Sequence, residues 1–424
     1  MQRPRSEIES PCQDPKRQHL GEIKLSAMQQ RIMNSVGMGN SMFITGPAGV
    51  GKSFIIHHIC EVLEIGTFKR IAPTKTAARN IQGQTICSLF KIRRYTDPID
   101  DTGLLHLRRV ETLIIDECSM VDSDFFKSMD RALQKIHGIP KPFGGVQIIC
   151  VGDFLQLPPV TTPSEYLFHS QLWTTLFSPT KQNIFVLNEC FRQENRLVFD
   201  ALCDIRKGLC TSAVKSAMKA CSLSTNATRT FEHLLSPINM TVQQANMDQM
   251  RRLAGDTKIL QIRAGPRDGK YADIYIPEGR TPLKVRPGCY VRLSRDYNIP
   301  ERLTQGTTGY FVRLVDDYMP LVYFPHLNLT VRIEPLTQWV GSTWVLSFPL
   351  EYAYALTVHR AQGETYESCI VDFGCDFSPP GVVYVALSRV KSFDNLYLLQ
   401  DIASIKINVD EAALSYYRCI EAQS

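Results

Sequence analysis

The 424-residue sequence predicts an α/β protein built from two parallel-sheet domains, with a small β-barrel insert in the second. Three observations carry that prediction. From Leu25 to about Leu187, apolar strand-like runs alternate with helix-like segments, the pattern of a parallel sheet covered on both faces. The same alternation returns in "YAYALTVHRAQGETYESCIVDF" and "VVYVALSRVKSFDNLYLL". Between these regions, "LKVRPGCYVRLSRDYNIPERLTQGTTGYFVRL" and "MPLVYFPHLNLTVRIEP" are short β-branched runs broken by Gly, Pro and Asn. Such runs predict a small antiparallel barrel or sheet.

In chain order, residues 1–22 are polar, Pro-bearing and aperiodic, and are expected to form a flexible tail. The first α/β domain is expected over 23–186. A polar, basic insert, "KIRRYTDPIDDTGLLHLRRVE", interrupts it at 91–111. The second α/β domain is expected over 187–305 and 346–424, with the β insert at 306–345. No internal repeat of fixed period is present.

Composition excludes several classes. At 44% hydrophobic and 21% charged residues, the chain has an ordinary globular composition. A net charge of +5 neither demands nor excludes a nucleic-acid partner. No apolar run is long enough to span a membrane, and no signal-peptide pattern is present. The expectation is an intracellular protein, nuclear or cytoplasmic, with no membrane partner. The 13 cysteines are scattered, without C-x-x-C or Cys/His zinc spacing. They read as small buried thiols in a reducing compartment, with no structural metal.

The segment "FITGPAGVGKS" matches G-x-x-x-x-G-K-[ST], with a strand before it and an apolar-faced helix after it. Glycines at 46, 49 and 51 let the backbone turn its N–H groups onto phosphate oxygens beside a helix N-terminus. The loop residues Gly46, Pro47, Ala48, Gly49, Val50 and Gly51 are therefore expected to cradle a nucleotide. Lys52 is expected to reach its β- and γ-phosphates, and Ser53 to ligate Mg²⁺. In "LIIDECSM", an apolar strand ends in two acids at the edge where ligands sit in open α/β sheets. Asp116 is expected on Mg²⁺, and Glu117 is a candidate base for a water molecule. Such a pair alone also occurs as a plain helix cap; the phosphate loop upstream favours catalysis.

"GDFLQLPPV" follows a further buried strand, "VQIICV". That strand is expected beside the one ending in Asp116, which aims Gln156 at the γ-phosphate. A neutral amide both donates and accepts, so Gln156 can bridge the γ-phosphate to a ligand beyond it and change partners when the phosphate leaves. The two prolines that follow hold the chain in place.

With these motifs, "GDFLQLPPV" resembles the third motif of the Pif-one (petite integration frequency) DNA helicases of superfamily 1, type B. Further blocks resemble that family in its own order: "LSAMQQ", "APTKTAARNIQGQTICSLF", "NECFRQ", "TQGTTGY", "LTVHRAQGETYES" and "YVALSRVKSFDNL". The resemblance covers roughly Leu25 to Leu398. It implies two RecA-like P-loop domains, a wedge-like insert at 91–111, ATP and Mg²⁺ as cofactors, and 5′-to-3′ translocation on single-stranded DNA. It also implies Gln29 on the adenine, Arg192 and Arg389 on the γ-phosphate, and Gln362 and Gly363 in a turn facing both ATP and DNA. Thr74, Lys75, Thr85, Phe90, Thr357 and His359 are the implied contacts to the strand. Phe90, at an apolar position, is equally a core residue, and a lone histidine such as His359 is often structural. The chain departs from the family pattern in carrying Lys75 for glycine, Cys87 for histidine and Arg360 for lysine.

The function so implied is an ATP-dependent DNA helicase in replication, repair or recombination. Its partners are single-stranded and forked DNA, with other replication or recombination proteins as further candidates. Two rivals share the same ATP residues: a DNA-stimulated translocase or loader, and a RecD-like subunit that needs a partner.

Overall fold

Largely apolar, fully buried runs make the central strands of the first sheet. The computed structural model describes residues 25–159, 165–193, 195–221, 233–260, 263–266, 282–298, 303–340, 343–374, 379–401 and 404–422. The expected tail at 1–22 lies outside them. Six strands, β1 (Met42–Thr45), β2 (Phe68–Ala72), β3 (Gln84–Thr85), β4 (Thr112–Ile115), β5 (Gln147–Val151) and β6 (Ile184–Val186), form one sheet in the order β3-β2-β4-β5-β1-β6. All pairings are parallel. Every residue of β1, β4 and β5 is buried, as a parallel sheet covered on both faces requires. The β4–β5 register pairs Ile115 with Cys150, so the Asp116 and Gln156 segments leave the sheet at the same edge.

Helices α1 (Ala27–Gly37) and α2 (Lys52–Val62) contribute Ile32, Val36, Ile55, Ile56 and Ile59 to one core face. On the other face Phe43, Phe154 and Trp173 pack with ring centroids 5.0–5.4 Å apart. Truncating one such aromatic to alanine costs about 3–5 kcal/mol.

A second, four-stranded parallel sheet is made by Leu234–Ser236, Ala355–Thr357, Cys369–Val371 and Leu396–Leu398. The helices Arg196–Arg206 and Val382–Leu387 pack against it. The chain is thus α/β with two parallel-sheet domains.

Three boundaries differ from expectation. The antiparallel sheet is not confined to 306–345: it opens with Tyr290–Leu293 and closes with Leu350–Tyr352, which pair with each other across the inserted hairpins. Pairing between strands almost 60 positions apart has no local sequence signal. The 91–111 segment is not wholly a projecting insert. A 3₁₀ helix, Asp101–Arg109, places Leu104 and Leu107 on one face, three residues apart, and buries both in the first-domain core. Arg93, Arg94 and Leu105 stay exposed. Finally, the C-terminal helix Glu411–Glu421 does not stay with the second domain. Its Ala413, Leu414, Tyr417 and Ile420 join the core of the first, beside Phe43 and Phe154.

Candidate functional site

The phosphate loop leaves β1 and enters α2 at the centre of the first sheet. Gly49, with φ +88°, faces the segment that follows β6: a Cβ there would stand 2.7 Å from both the Arg192 Cβ and the Gln193 Oε1. Only glycine permits that approach. Lys52 donates to the carbonyls of Gly46 and Pro47, at 2.7 and 2.8 Å. Burial lowers its pKa; the carboxylates of Asp153, Glu117 and Asp116 oppose that effect.

A cleft of about 240 Å³ opens over this loop. Ala48, Gly49, Gly51, Lys52, Ser53, Asp116, Glu117 and Gln156 line it from the first domain. Arg192 lines it from the segment after β6, and Gly363 and Arg389 close it from the far side. The structure therefore brings together, around one cleft, residues drawn from across almost 350 positions of the chain.

The charges in the cleft are unbalanced. Arg389 is 2% exposed and donates to the Val385 and Glu364 carbonyls and the Ser388 hydroxyl. Arg192 donates to the Ser388 carbonyl at 3.0 Å. Burial, and then the neighbouring Arg389, pull the Arg192 guanidinium down to about 10. A buried guanidinium, Arg389, that lowers the pKa of Arg192 beside it, with Lys52 on the same cleft, fits a polyanion. Asp116 shows the opposite imbalance. Burial, then Glu117, push its carboxyl up to about 8. It accepts a hydrogen bond from the Glu117 backbone N–H at 2.9 Å. A divalent cation between Asp116 and the exposed Ser53 hydroxyl would relieve this, so the pair fits Mg²⁺.

Glu117 sits in the left-handed region at φ 49°, an uncommon conformation for a non-glycine residue and one enriched at functional sites. Its carboxylate accepts from Gln362 Nε2 at 3.0 Å. Gln156 is 4% exposed and donates to Asp153 Oδ2 at 3.4 Å, with its side chain at the cleft wall.

Several expected residues are placed otherwise. Gln29 does not line the cleft. "SAMQ" forms a capping box, in which Gln29 Oε1 accepts the Ser26 N–H at 2.9 Å and Ser26 caps the Gln29 N–H. Val50 is buried in the core at 1% exposure, so it shapes the loop from behind. Gln362 is buried against Glu117 and does not line the cleft. Phe90 is a core residue, 1% exposed, with Phe125 edge-on at 6.3 Å; its apolar surroundings hide it from any strand.

The hydroxyls of Thr74, Thr85 and Thr357 each cap a helix N-terminus. Burial lowers the His359 pKa, which favours the neutral ring. Lys75 pairs with Asp296 at 3.3 Å, beside a groove of about 1010 Å³ between the first domain and the small sheet. Lys75, Arg79, Thr85, Thr307, Thr308 and His326 are among its lining residues. Asn80, next to Arg79 of the groove, lines the cleft and donates to the Gly363 carbonyl at 2.8 Å.

Four residues at the site escaped the sequence reading. Phe191, 61% exposed, lies 3.3 Å from the position a Cβ on Gly51 would take and offers an aromatic face at the cleft. Its place beside Arg192 in "NECFRQ" was the available signal. Asp153, in "GDFLQ", forms a bidentate pair with Arg206 at 2.7 and 2.9 Å, both buried. Burial would raise the Asp153 carboxyl, but Arg206 outweighs it and holds the pKa below the usual value. Tyr384 accepts the Ala48 N–H through its hydroxyl at 2.6 Å. Neither Arg206 nor Tyr384 has a local motif to flag it.

Two parallel-sheet domains, with a phosphate loop and the adjacent Arg192 on one side of the cleft and Arg389 reaching in from the other, define a RecA-like P-loop nucleotide-binding protein. Comparison with known proteins narrows this. The family model for PIF1-like helicase matches residues 24–204. ATP-dependent DNA helicase PIF1 of Rattus norvegicus is 30% identical over 418 residues, covering 93% of this chain and 64% of that protein. The chain thus spans less than two thirds of that relative's length. ATP-dependent DNA helicase Pif1 of Bdellovibrio bacteriovorus is 28% identical, covering 94% of this chain and 93% of that protein. The crystal structure of Pif1 helicase from Bacteroides in complex with ADP-AlF3 and ssDNA superposes with a TM-score of 0.77 at 25% identity, covering 95% of this chain and 98% of that one. Over most of its length the chain is similar to PIF1-like helicases.

Proposed function

We propose that the chain is an ATP-dependent DNA helicase that moves 5′-to-3′ on single-stranded DNA and unwinds duplex in replication, repair or recombination. One observation carries the reading: Lys52, Arg192 and Arg389 converge from two domains on one cleft that also holds Glu117 and Gln156. The names of the rat and bacterial relatives, and the nucleotide and single-stranded DNA in the Bacteroides structure, point the same way.

Lys52, Arg192 and Arg389 bind and orient the β- and γ-phosphates and meet the charge that develops on the transferring phosphoryl group. Ser53 and Asp116 would hold Mg²⁺, which supplies charge neutralisation to the phosphates. Glu117 takes the proton of the attacking water. Phe191 stacks on the base. Gln156 accompanies the γ-phosphate and changes partners when it leaves. Because Arg389 belongs to the far side of the cleft and Arg192 reaches across to the Ser388 carbonyl there, nucleotide binding draws the domains together and hydrolysis releases them.

The groove beside Lys75 and Arg79 would take the phosphate backbone of single-stranded DNA. The Asn80–Gly363 and Gln362–Glu117 bonds connect it to the cleft. Arg93, Arg94 and Leu105 are among the exposed residues of 91–111 that would separate strands at a fork.

The test is strand separation on forked duplexes with a 5′ or a 3′ single-stranded tail, together with ATP hydrolysis with and without single-stranded DNA. Unwinding from the 5′ tail alone, with DNA-stimulated hydrolysis that Gln156→Ala uncouples from unwinding, supports the helicase. Stimulated hydrolysis without unwinding supports instead a translocase, loader or partner-dependent RecD-like subunit.

A further inference from the structure

The C-terminal helix Glu411–Glu421 enters the first-domain core and delivers one hydroxyl to the root of the nucleotide site. Tyr417 Oη lies 2.6 Å from Thr45 Oγ1, and Thr45 immediately precedes Gly46 of the phosphate loop. The same oxygen accepts the backbone N–H of Phe154 at 3.1 Å, two residues before Gln156. Arg206 lies over the Tyr417 ring at 4.5 Å while binding Asp153 with two hydrogen bonds. Thr45 and Asp153 are 0% exposed, Tyr417 3% and Arg206 6%.

One side chain therefore ties together the start of the phosphate loop, the loop that carries Gln156 and the helix Arg196–Arg206. Burial holds the hydroxyl well above its ordinary pKa, so it stays neutral and can donate to Thr45 while accepting from Phe154. A tyrosine anchored only by packing would not need both bonds. Its neighbour Tyr416 shows the contrast. Tyr416 stacks on Phe168 and packs edge-on against Phe154 at 5.7 Å, but its hydroxyl accepts from Trp173 Nε1 at 2.9 Å and from no group of a nucleotide loop among the described residues, so Tyr416→Phe leaves those ring contacts in place.

We propose that Tyr417 is a positioning residue for ATP hydrolysis, fixing the distance between the phosphate loop and Gln156. It makes the C-terminal helix a working part of the first-domain motor site. This rests on the ATPase reading above.

The experiment compares Tyr417→Phe, Thr45→Val and their double variant with Tyr416→Phe in the full chain. Tyr417→Phe keeps the ring under Arg206 and removes only the shared hydroxyl. It is expected to lower kcat for DNA-stimulated ATP hydrolysis about 3- to 30-fold, with KM for ATP within about threefold of wild type. Thr45→Val should give a loss of the same kind, and the double variant should be no worse than the stronger single change. Tyr416→Phe removes one buried hydrogen bond from the same helix, so it should lower Tm comparably and leave kcat at wild type. If Tyr417→Phe and Tyr416→Phe affect kcat equally, or neither affects it, the positioning role is overturned and the ATPase reading stands. If the wild-type chain neither hydrolyses ATP nor binds ADP, both readings fall.

Discussion

Gln362 donates its side-chain amide to the Glu117 carboxylate at 3.0 Å, and so joins the turn after the helix Val358–Ala361 to the acid at the end of β4. The amide oxygen of Gln362 is buried without a hydrogen-bond partner, so the contact with Glu117 is what orients the side chain. Gln362→Ala should lower DNA-stimulated kcat about 3- to 30-fold while leaving basal hydrolysis nearly intact. Glu117→Gln should cut both about 10²- to 10⁴-fold and retain ATP binding. Steady-state assays with and without single-stranded DNA check this. Equal loss of basal and stimulated rates in Gln362→Ala would remove the coupling role.

The two arginines should fail together and resist conservative rescue. Arg192→Ala or Arg389→Ala is expected to cost about 10³-fold or more in kcat. Arg389→Lys should not restore it, because Arg389 divides its donors among Val385, Glu364 and Ser388 in a fixed plane that lysine lacks. A lysine variant with near wild-type kcat would show that charge alone suffices.

Phe191 gives a prediction about affinity. Loss of a base-stacking aromatic costs about 1–3 kcal/mol, so Phe191→Ala should raise KM for ATP roughly 5- to 150-fold with a smaller change in kcat. Competition with pyrophosphate or tripolyphosphate, which have no base, should be unaffected. Parallel loss of affinity for tripolyphosphate would place Phe191 on the phosphates instead.

Gly381 packs directly on the Gln156 loop. It has φ +78°, and a Cβ there would lie 2.2 Å from the Gln156 carbonyl oxygen. Gly381→Ala must shift the loop or the helix Val382–Leu387. The left-handed backbone alone costs about 1–2 kcal/mol. Lower Tm and loss of coupling between hydrolysis and unwinding are expected; a variant indistinguishable from wild type would show that the loop moves freely.

The Asp153–Arg206 pair is buried, so removing one partner strands the other. Asp153→Asn should destabilise the fold by about 3–5 kcal/mol, read by denaturant unfolding. The pH sign follows from the lowered Asp153 pKa. Its stabilisation is present above the ordinary carboxylate pKa of 3.8 and is lost as pH falls through the lower folded-state value. The wild-type advantage over Asp153→Asn should therefore shrink only in acid, below about pH 4. An advantage that vanished near neutrality would assign it to another group.

Several features encoded by residues close in the chain were legible in the sequence, although local caps such as Ser26–Gln29 and those of Thr74, Thr85 and Thr357 were not. The phosphate loop, the acids ending β4 and the Gln156 loop were legible because glycine spacing, apolar runs and turn residues encode backbone geometry locally. The α/β class followed from the same periodicities. The strand order β3-β2-β4-β5-β1-β6, the closure of the small sheet by Tyr290–Leu293 and Leu350–Tyr352, and the return of the C-terminal helix to the first core were settled only in three dimensions. Each depends on packing between segments far apart in sequence, where one apolar stripe looks like another. Phe90 and Tyr417 make the same point in opposite directions. By pattern Phe90 could face a ligand or the core, and the fold buries it. Tyr417 looks like one more apolar-face residue of a terminal helix, and the fold carries its hydroxyl to Thr45 and Phe154. Residue type sets what chemistry a side chain can perform; the tertiary structure sets which partner it meets.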